Sequence, residues 1–283
     1  MKQEIKSLKT KSKSLPLIIG CFDVIHKSHK KLFDKVKPNS FNVLLIKNSP
    51  NKGEYIHPLN LRIAIIQQLK PKNIYIFDVN KNNIKAEQFI QDYLMPINPN
   101  RIIIGSDFKF GKNLKGNVKL LEKYFPVTVI KYNSKYQTKK IKLLYKNGMV
   151  YEANKLLYWP ILIEGIVTKC NQNGRKLGFP TLNIFLNDKK QLEFKEGVYV
   201  SLCVLDNNIF YSATCIYKLK PKVGQLIETN IIYNYQNDYN AYGKEIKLIL
   251  ISYLNPFIKF KSRNDLIKYI SNNIEIIKKY FGI

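Results

Sequence analysis

The chain has 283 residues, of which 45% are hydrophobic and 24% charged, and its formal net charge is +27 at pH 7. This composition excludes wholesale disorder, and the length predicts two domains. Four cysteines without a C-x-x-C pair exclude a disulfide scaffold, and the lack of an apolar run of about 18 residues excludes a transmembrane helix. We expect a cytoplasmic protein, because the basic N-terminus also lacks the apolar region of a signal peptide.

The excess of 47 lysines and arginines over 20 acidic residues has two interpretations. A strongly positive surface favours polyanions, including nucleic acids. The lysines are scattered, however, and the abundance of Asn, Ile and Lys is typical of AT-rich codon usage. No helix-turn-helix, RNP or zinc-finger pattern is present. We therefore keep nucleic-acid binding as an alternative function only, and we interpret the charge as a field that steers phosphate ligands such as ATP.

Strands and helices alternate in the first half of the chain. This order predicts a parallel α/β sheet, which binds ligands beyond the carboxyl ends of its strands. Pro160 disfavours helix at Trp159, and the domain boundary is therefore placed between residues 158 and 159. In chain order, the predicted elements are strand 15–20, helix 26–36, strand 41–47, helix 59–69, strand 73–79, helix 86–95, strand 101–108, helix 118–125, strand 127–133 and helix 139–157.

The second half is rich in short β stretches separated by turn residues, which predicts an antiparallel barrel or sandwich. Residues 262–281 have helical spacing, with Ser262 as the N-cap. The predicted strands lie within 161–169, 197–205, 208–217, 226–235 and 245–254.

Two of the three histidines, His26 and His29, lie in GCFDVIHKSH (20–29), directly after the first predicted strand. Residues three apart share one face of a helix, and a helix N-terminus after a tight turn can receive phosphate oxygens. Imidazolium groups there would stabilise charge on a leaving pyrophosphate. The plainer alternative is two surface histidines, and zinc is disfavoured because no third ligand stands at a suitable spacing.

Residues 20–29 resemble the G-x-F-D-G-x-H-x-G-H motif of the nucleotidylyltransferase superfamily, and RIIIGSDFKFGK (101–112) is similar to the G-x-D-F-x-F-G stretch of bacterial bifunctional FAD synthetases. The resemblance implies a Rossmann-like FMN adenylyltransferase domain at 1–158, with His26 and His29 as catalytic residues. The ATP- and phosphate-binding residues that it implies in this domain are Gly20, Phe22, Asp23, Gly105, Asp107, Gly111, Thr138 and Lys142.

Four positions depart from these motifs. Val24 and Ser28 stand in place of two glycines, and Val24 would be strained if its position required a positive φ. Ser49 replaces the histidine of F-x-P-H-P, and Lys142 replaces the arginine of S-S-T-x-I-R, where lysine offers a point charge rather than a bidentate fork. These departures motivate a second hypothesis, in which only the C-terminal domain is active.

The stretch 164–184 passes from a strand through a polar loop into a new strand. Small residues with exposed N–H groups, such as Gly174 and Gly178, suit a triphosphate. Thr181 and Asn183 share a face of an extended segment, and their oxygens suit Mg²⁺. A turn-rich β-hairpin without a ligand is the plainer alternative from these residues alone.

GRKLGFPTLN (174–183) is similar to the G-R-x-L-G-F-P-T-A-N motif of riboflavin kinases, with only Leu182 different. The resemblance implies a riboflavin kinase β-barrel at 159–283, in which Thr181 and Asn183 hold Mg²⁺ and ATP phosphates. It also implies that Glu228, in LIETNII, is the base for the ribityl 5′-hydroxyl. The other residues that it assigns to ATP binding are Gly174, Arg175 and Gly178.

The usual N-I-G-x-x-P-T loop of riboflavin kinases is replaced by TCIYKLKPKVGQ (214–225), with Cys215 and Tyr217 where Asn and Gly are usual. Taken together, the motifs identify the chain as a member of the bacterial bifunctional riboflavin kinase/FMN adenylyltransferase family. That membership implies synthesis of FMN from riboflavin and MgATP, followed by synthesis of FAD with release of pyrophosphate. Riboflavin, FMN and ATP are the expected partners, and we expect neither a membrane nor an obligate protein partner.

Overall fold

The computed structural model describes residues 2–3, 14–49, 53–131, 133–170, 173–218, 224–232 and 240–283. The chain divides into two compact units, each with its own sheet. Unit 1 comprises Met1–Thr138 and Leu157–Trp159, and unit 2 comprises Lys139–Leu156 and Pro160–Ile283. The two units therefore separate near the predicted boundary, but residues 139–156 group with unit 2.

Unit 1 contains the predicted parallel α/β sheet, and this prediction is confirmed. Its six strands are all parallel and lie in the order β1-β4-β3-β2-β5-β6. The central strands are apolar on both faces, as expected for a parallel sheet that is covered on both sides. The strands are β1 (Lys2–Gln3), β2 (Leu17–Gly20), β3 (Asn42–Lys47), β4 (Asn73–Asp78), β5 (Ile102–Gly105) and β6 (Val127–Ile130).

Helices connect these strands, and the π-helical segment Ile90–Leu94 continues α3 directly into α4. Asn117 begins α5 by accepting a hydrogen bond from the N–H of Leu120, as an N-cap does. No helix in the described part of the chain is long and apolar enough to cross a membrane. The helices are α1 (Lys27–Phe33), α2 (Leu59–Gln68), α3 (Ala86–Phe89), α4 (Met95–Ile97) and α5 (Val118–Glu122), and a 3₁₀ turn covers Lys112–Leu114.

The strand order of unit 1 reverses at β2. From β2 the chain builds β3 and β4 on one side, and it then crosses to β5 and β6 on the other. Ligands of open α/β sheets bind where the order reverses, beyond the carboxyl ends of the strands. Gly20 ends β2 and Gly105 ends β5, so the two N-terminal motifs of the sequence meet at this edge.

Unit 2 contains the predicted antiparallel barrel, which is nearly closed. Its strands lie in the order β7-β12-β9-β10-β11-β8. The two end strands approach each other, because the N–H of Thr168 donates to the carbonyl of Asn183 at 2.8 Å and Gly165 packs against Ile184. The strands are β7 (Leu162–Ile166), β8 (Leu182–Leu186), β9 (Gly197–Leu205), β10 (Asn208–Tyr217), β11 (Gln225–Ile231) and β12 (Glu245–Pro256).

The predicted single helix over 139–157 is wrong, because the structure has two helices there. These are α6 (Thr138–Lys146) and α7 (Val150–Leu156), and Gly148 between them adopts a φ of +75° that no α-helix continues. Both pack with unit 2 through Tyr145, which meets Phe194 edge to face, and Asn154, which donates to the carbonyl of Leu250.

The C-terminal helix is confirmed as α9 (Arg263–Phe281). The Ser262 side chain caps it by accepting from the N–H of Asp265, and Gly282 ends it in the left-handed conformation. A short helix, α8 (Asn173–Lys176), lies in the loop between β7 and β8.

Four hydroxyl groups form a hydrogen-bonded network inside the barrel. Ser201 on β9 contacts the hydroxyls of Ser212 and Thr214 on β10 at 2.8 and 2.7 Å, and Thr214 contacts Thr229 on β11 at 3.0 Å. All four residues are fully buried. Since buried polar groups are costly unless paired, this network favours one register of the three strands.

We expect Ser201→Ala to destabilise unit 2 by about 1–3 kcal/mol, because it leaves buried hydroxyls with fewer partners. Amide hydrogen exchange of peptides from β9 and β10 in the full chain measures the loss, and unit 1 peptides provide the internal reference. Ser252→Ala is the matched control, because Ser252 is half-buried and its side chain reaches only the Tyr253 carbonyl, at 3.5 Å. Equal effects of the two substitutions would contradict the role of the network.

Candidate active sites

The turn after β2 forms the floor of the first site. Phe22 is buried and has a φ of +46°, and its ring covers Gly20 so closely that a β-carbon there would lie 2.6 Å from it. Glycine is therefore required at position 20. The positive φ falls on Phe22 and not on Val24, which is fully buried, so valine causes no backbone strain in this turn.

The structure brings His26 and His29 together at the start of α1. His26 is the N-cap, and its Nδ1 accepts from the N–H of His29 at 3.2 Å. The two rings stack with their centroids 3.6 Å apart, and His29 Nδ1 lies 2.8 Å from the carbonyl of Val24. These partners assign the tautomers, because a carbonyl only accepts. The neutral His26 ring therefore carries its proton on Nε2, and His29 carries it on Nδ1.

A buried polar network lies under this turn. Asp23 Oδ1 accepts from the N–H groups of Ile56 and His57, at 2.8 and 3.1 Å. Arg62 Nη2 donates to the carbonyls of Cys21 and, at 2.7 Å, Ile46. Asp23 and Arg62 are 5% and 7% exposed, so their opposite charges interact away from bulk water. The network joins the carboxyl ends of β2 and β3 to the start of α2.

Sequence reasoning missed His57 and Arg62. Burial lowers the pKa of His57 to about 4 although the charge of Asp23 opposes this, so its ring is neutral near pH 7. A signal for Arg62 was available, because it is the single charged residue within the otherwise apolar stretch of α2. No local signal distinguishes His57, since its burial depends on the packing of the loop before α2.

The second motif of unit 1 follows β5 at the same edge of the sheet. Asp107 is exposed and approaches Gly105, where a β-carbon would lie 2.9 Å from its Oδ1. Gly111 has a φ of +72° and packs against the backbone of Ala86, 2.7 Å from the position of an added β-carbon. Gly105 and Asp107 therefore lie on an open turn, whereas Gly111 is explained by close packing against α3.

Three further predicted positions lie elsewhere in the fold. Thr138 and Lys142 share one face of α6, and both are half-buried. Ser49 follows β3, where Lys47 pairs with Asp78 at 3.2 Å. Asp78 also accepts from the Asn48 side chain at 2.8 Å. This cluster at the carboxyl ends of β3 and β4 was missed by the sequence analysis.

A cavity of about 300 Å³ in unit 2 forms the second site. It lies outside the barrel, between strands β10 and β11, the loop that contains Gly174 and Thr181, and helix α9. Alternate residues of β10 face the cavity, which places Cys215 and Tyr217 on its wall and leaves Ser212 and Thr214 in the barrel interior.

The predicted base and metal ligands meet at this cavity. Glu228 on β11 pairs directly with Asn183 on β8 in the antiparallel ladder, and such pairs have β-carbons about 4.5–5.5 Å apart. Thr181 Oγ1 lies 3.4 Å from Asn183 Oδ1, and both Thr181 and Glu228 line the cavity. Glu228, Asn183 and Thr181 therefore lie close together, and their roles as base and metal ligands stay predictions.

The Glu228 side chain is half-buried. Burial raises its pKa, and a hydrogen bond from Tyr217 partly opposes this shift. Burial and the charge of Glu228 raise the pKa of Tyr217, which keeps its phenol protonated. Burial also raises the pKa of the Cys215 thiol to about 12, which makes this thiol unreactive.

The loop between β7 and β8 borders the cavity with backbone groups. A β-carbon on Gly174 would lie 2.4 Å from the carbonyl of Phe179, so this position requires glycine. Gly178 has a φ of +86° and open space beside it, and Arg175 is exposed on α8. Arg263 of α9 donates to the carbonyl of Lys176 at 3.0 Å, which fastens the loop to the C-terminal helix.

Two oxygen-bearing side chains beside the cavity, those of Thr181 and Asn183, suit a divalent cation. Among the described residues, no group of three or more His, Cys, Asp or Glu could hold a metal ion. The Thr181 hydroxyl and the Asn183 amide oxygen are hard ligands, and Mg²⁺ in nucleotide sites takes its remaining ligands from water and phosphates. The residues present therefore fit a metal that arrives with a nucleotide.

Comparison with known proteins gives a match for each half of the chain. The riboflavin kinase family model matches residues 157–281, and the FAD synthetase family model matches residues 8–143. The bifunctional riboflavin kinase/FMN adenylyltransferase of Buchnera aphidicola subsp. Schizaphis graminum is 31% identical, and the match covers 99% of this chain and 98% of that protein. The chain belongs to the bifunctional riboflavin kinase/FMN adenylyltransferase family.

Other relatives agree with this membership. The bifunctional enzyme of Mycoplasma pneumoniae is 30% identical over 94% of this chain and 97% of its own length. The trifunctional protein RibF/MnmA of Mycoplasmoides gallisepticum is 35% identical over 98% of this chain, which spans 41% of that longer protein. A Streptococcus pneumoniae crystal structure, described as a macrolide-efflux protein, has a TM-score of 0.82 at 24% identity and 98% coverage of both chains, which shows a shared fold.

Both activities of the family are therefore activities of this chain, namely riboflavin kinase and FMN adenylyltransferase. Enzymes of both families use ATP, generally with a divalent metal. The FAD synthetase match covers most of unit 1, and the riboflavin kinase match covers most of unit 2.

We expect Arg62→Met to lower the rate of FAD formation from FMN at least tenfold, because two half-buried carbonyls at the ends of β2 and β3 lose a buried donor. FMN formation from riboflavin should stay unchanged. Chromatography of flavin products measures both rates in one sample. Arg101→Met is the matched control, since the guanidinium of Arg101 donates to the carbonyl of Lys35 and not to the turn after β2. Equal loss of both activities in Arg62→Met would contradict a local effect on unit 1.

Proposed function

We propose that the kinase reaction takes place at the cavity of unit 2 and the adenylyl transfer at the turn after β2 in unit 1. The observation that carries the first assignment is the cross-strand pairing of Glu228 with Asn183, beside Thr181 and the cavity. It places a carboxylate and two hard oxygen ligands next to a space of about 300 Å³.

The flavin ring binds in the cavity, where aromatic and aliphatic side chains would cover an apolar ligand. Glu228 accepts the proton of the ribityl 5′-hydroxyl while this oxygen attacks the γ-phosphorus of ATP and ADP leaves. Its raised pKa brings the base closer to neutral pH, where general-base help is worth about 10²–10⁴-fold. Positioning and charge neutralisation contribute the larger part of the rate of phosphoryl transfer.

Thr181 and Asn183 would hold Mg²⁺, whose positive charge would help neutralise the phosphates of ATP. Gly174 and Gly178 keep the loop close to the phosphates, because neither presents a side chain there. Arg175, exposed on α8, contributes a guanidinium that can pair with phosphate oxygens. The fastening of this loop to α9 by Arg263 supports its position beside the cavity.

For the second reaction, the phosphate of FMN attacks the α-phosphorus of ATP in line, and pyrophosphate leaves. The Nε2–H of His26 donates to the phosphates, and the stacked ring of His29 holds His26 in place. Gly20, Phe22 and Asp23 form the turn that receives the nucleotide, and Gly105 and Asp107 face it from β5. Gly111 supports this edge of unit 1 through its packing against Ala86, and the phosphate-binding roles of Thr138 and Lys142 stay predictions.

The hypothesis of a chain with only the kinase half active, which Ser49 and Lys142 motivated, is not supported by the FAD synthetase match and the bifunctional relatives. A measurement of FAD formation from supplied FMN and ATP distinguishes a kinase-only chain from a bifunctional enzyme. The domain limits 1–158 and 159–283, the cytoplasmic location and the lack of an obligate protein partner stay predictions.

Glu228→Gln should lower the kcat of riboflavin phosphorylation by about 10²–10³-fold, because the isosteric amide cannot accept the proton. The rate of FAD formation from FMN, measured in the same preparation, should not change. Glu245→Gln is the matched control, since Glu245 is an exposed glutamate on β12 that pairs with Lys247. A Glu228→Gln enzyme with wild-type kcat would remove Glu228 from the mechanism.

His26→Asn should lower FAD formation about 10²-fold or more while FMN formation continues, because asparagine keeps the N-cap acceptor but lacks Nε2–H. His26→Ala removes both groups and should also destabilise α1 by about 1 kcal/mol. Comparing the two variants by flavin chromatography and by thermal unfolding separates the catalytic from the capping role. Full FAD synthesis by His26→Asn would show that Nε2 is dispensable.

A further inference from the structure

Tyr217 is a cavity residue of unit 2 to which the mechanism proposed above gives no role. It is the last residue of β10, and it lies diagonally across the ladder from Glu228, whose direct partner on β10 is Cys215. Diagonal neighbours on one sheet face are within reach of an aromatic side chain. Both Tyr217 and Glu228 line the cavity.

Two neighbours constrain the Tyr217 ring. The Glu228 carboxylate lies close enough to the Tyr217 hydroxyl for each group to shift the pKa of the other. Its ring stacks on that of Phe257, with the centroids 4.5 Å apart and the planes within 5° of parallel. Phe257, just beyond β12, also lines the cavity. The phenol remains a donor near neutral pH, because burial and the neighbouring carboxylate keep its proton in place.

We propose that Tyr217 is a positioning residue for riboflavin phosphorylation: its hydroxyl fixes one face of the Glu228 carboxylate, and Phe257 fixes the plane of Tyr217. This inference rests on the proposed role of Glu228 as the base. A carboxylate has two oxygens with several acceptor sites, so the bond from Tyr217 leaves room for the substrate hydroxyl. The proton of the substrate passes to Glu228, and Tyr217 keeps its own proton throughout.

The arrangement has a kinetic consequence. The side chain of Glu228 has three rotatable bonds. A donor that holds its carboxylate in the reactive orientation raises kcat rather than substrate affinity. Truncation of the hydroxyl in Tyr217→Phe preserves the ring, its stack on Phe257 and the cavity wall. The effect should therefore appear in kcat and not in the KM for riboflavin.

The test compares wild type, Tyr217→Phe, Glu228→Gln and the double variant in the full chain, with riboflavin, ATP and Mg²⁺. We expect Tyr217→Phe to lower kcat about tenfold and to change the KM for riboflavin less than about twofold. In the Glu228→Gln background, the same substitution should have no further effect, because the carboxylate that it positions is absent. FAD formation from FMN reports the integrity of the preparation.

Tyr211→Phe is the matched control. Tyr211 lies on β10, and residues 211, 213, 215 and 217 share a face by strand alternation. Its ring likewise stacks on a phenylalanine, Phe281, at 4.2 Å, but it does not line the cavity. Tyr211→Phe should keep wild-type kcat. Phe257→Leu, which removes the stacking partner, should lower kcat in the same direction as Tyr217→Phe.

The outcomes separate this inference from the proposed function. Wild-type kcat in Tyr217→Phe, or an equal tenfold loss in both backgrounds, overturns the positioning role while Glu228 remains the base. Wild-type kcat in Glu228→Gln overturns the role of Glu228 itself, and the inference falls with it. If Tyr217→Phe lowers kcat in the wild-type background but not in the Glu228→Gln background, the result supports both Glu228 as the base and Tyr217 as its positioning residue.

Discussion

The kinase site proposed for unit 2 depends on one constraint, which is the antiparallel pairing of β8 with β11. It sets Asn183 directly opposite Glu228, and the bond from Thr168 to the carbonyl of Asn183 closes the barrel at the same place. A shift of one residue in this register would turn Glu228 to the other face of the sheet, and its carboxylate would no longer line the cavity. The buried hydroxyl network of Ser201 and its partners on the neighbouring strands favours the observed register.

In unit 1, the reversal of strand order plays the corresponding role. Because all strands are parallel, the residues that follow β2 and β5 come to one edge although they are more than eighty positions apart in the chain. Arg62 and Asp23 join the backbone of this edge through buried side chains, and His26 caps the helix that begins beside them. The substitution of Val24 for glycine is compatible with this turn, because Phe22 carries its positive φ.

Much of this could be read from local sequence. Alternating apolar runs predicted the parallel sheet, and short β stretches predicted the barrel, because the spacing of apolar residues follows the geometry of each element. The division of 139–157 into α6 and α7 was missed, since Gly148 within an amphipathic stretch does not by itself reveal a left-handed turn. His57 was missed because its burial depends on contacts with residues distant in the chain.

The sequence by itself determined the two fold classes, the order of the motifs, and the residue types that can bind phosphate and metal, because these properties are local to a few consecutive residues. Only the tertiary structure decided which of these residues meet. The register of β8 and β11 sets Glu228 opposite Asn183. Tyr217 on β10 lies near Glu228 on the neighbouring strand β11, and Phe257, which follows β12, stacks on Tyr217. Arg62 contacts the turn after β2 from helix α2. Such contacts join residues far apart in the chain, so they are fixed by packing rather than by local pattern.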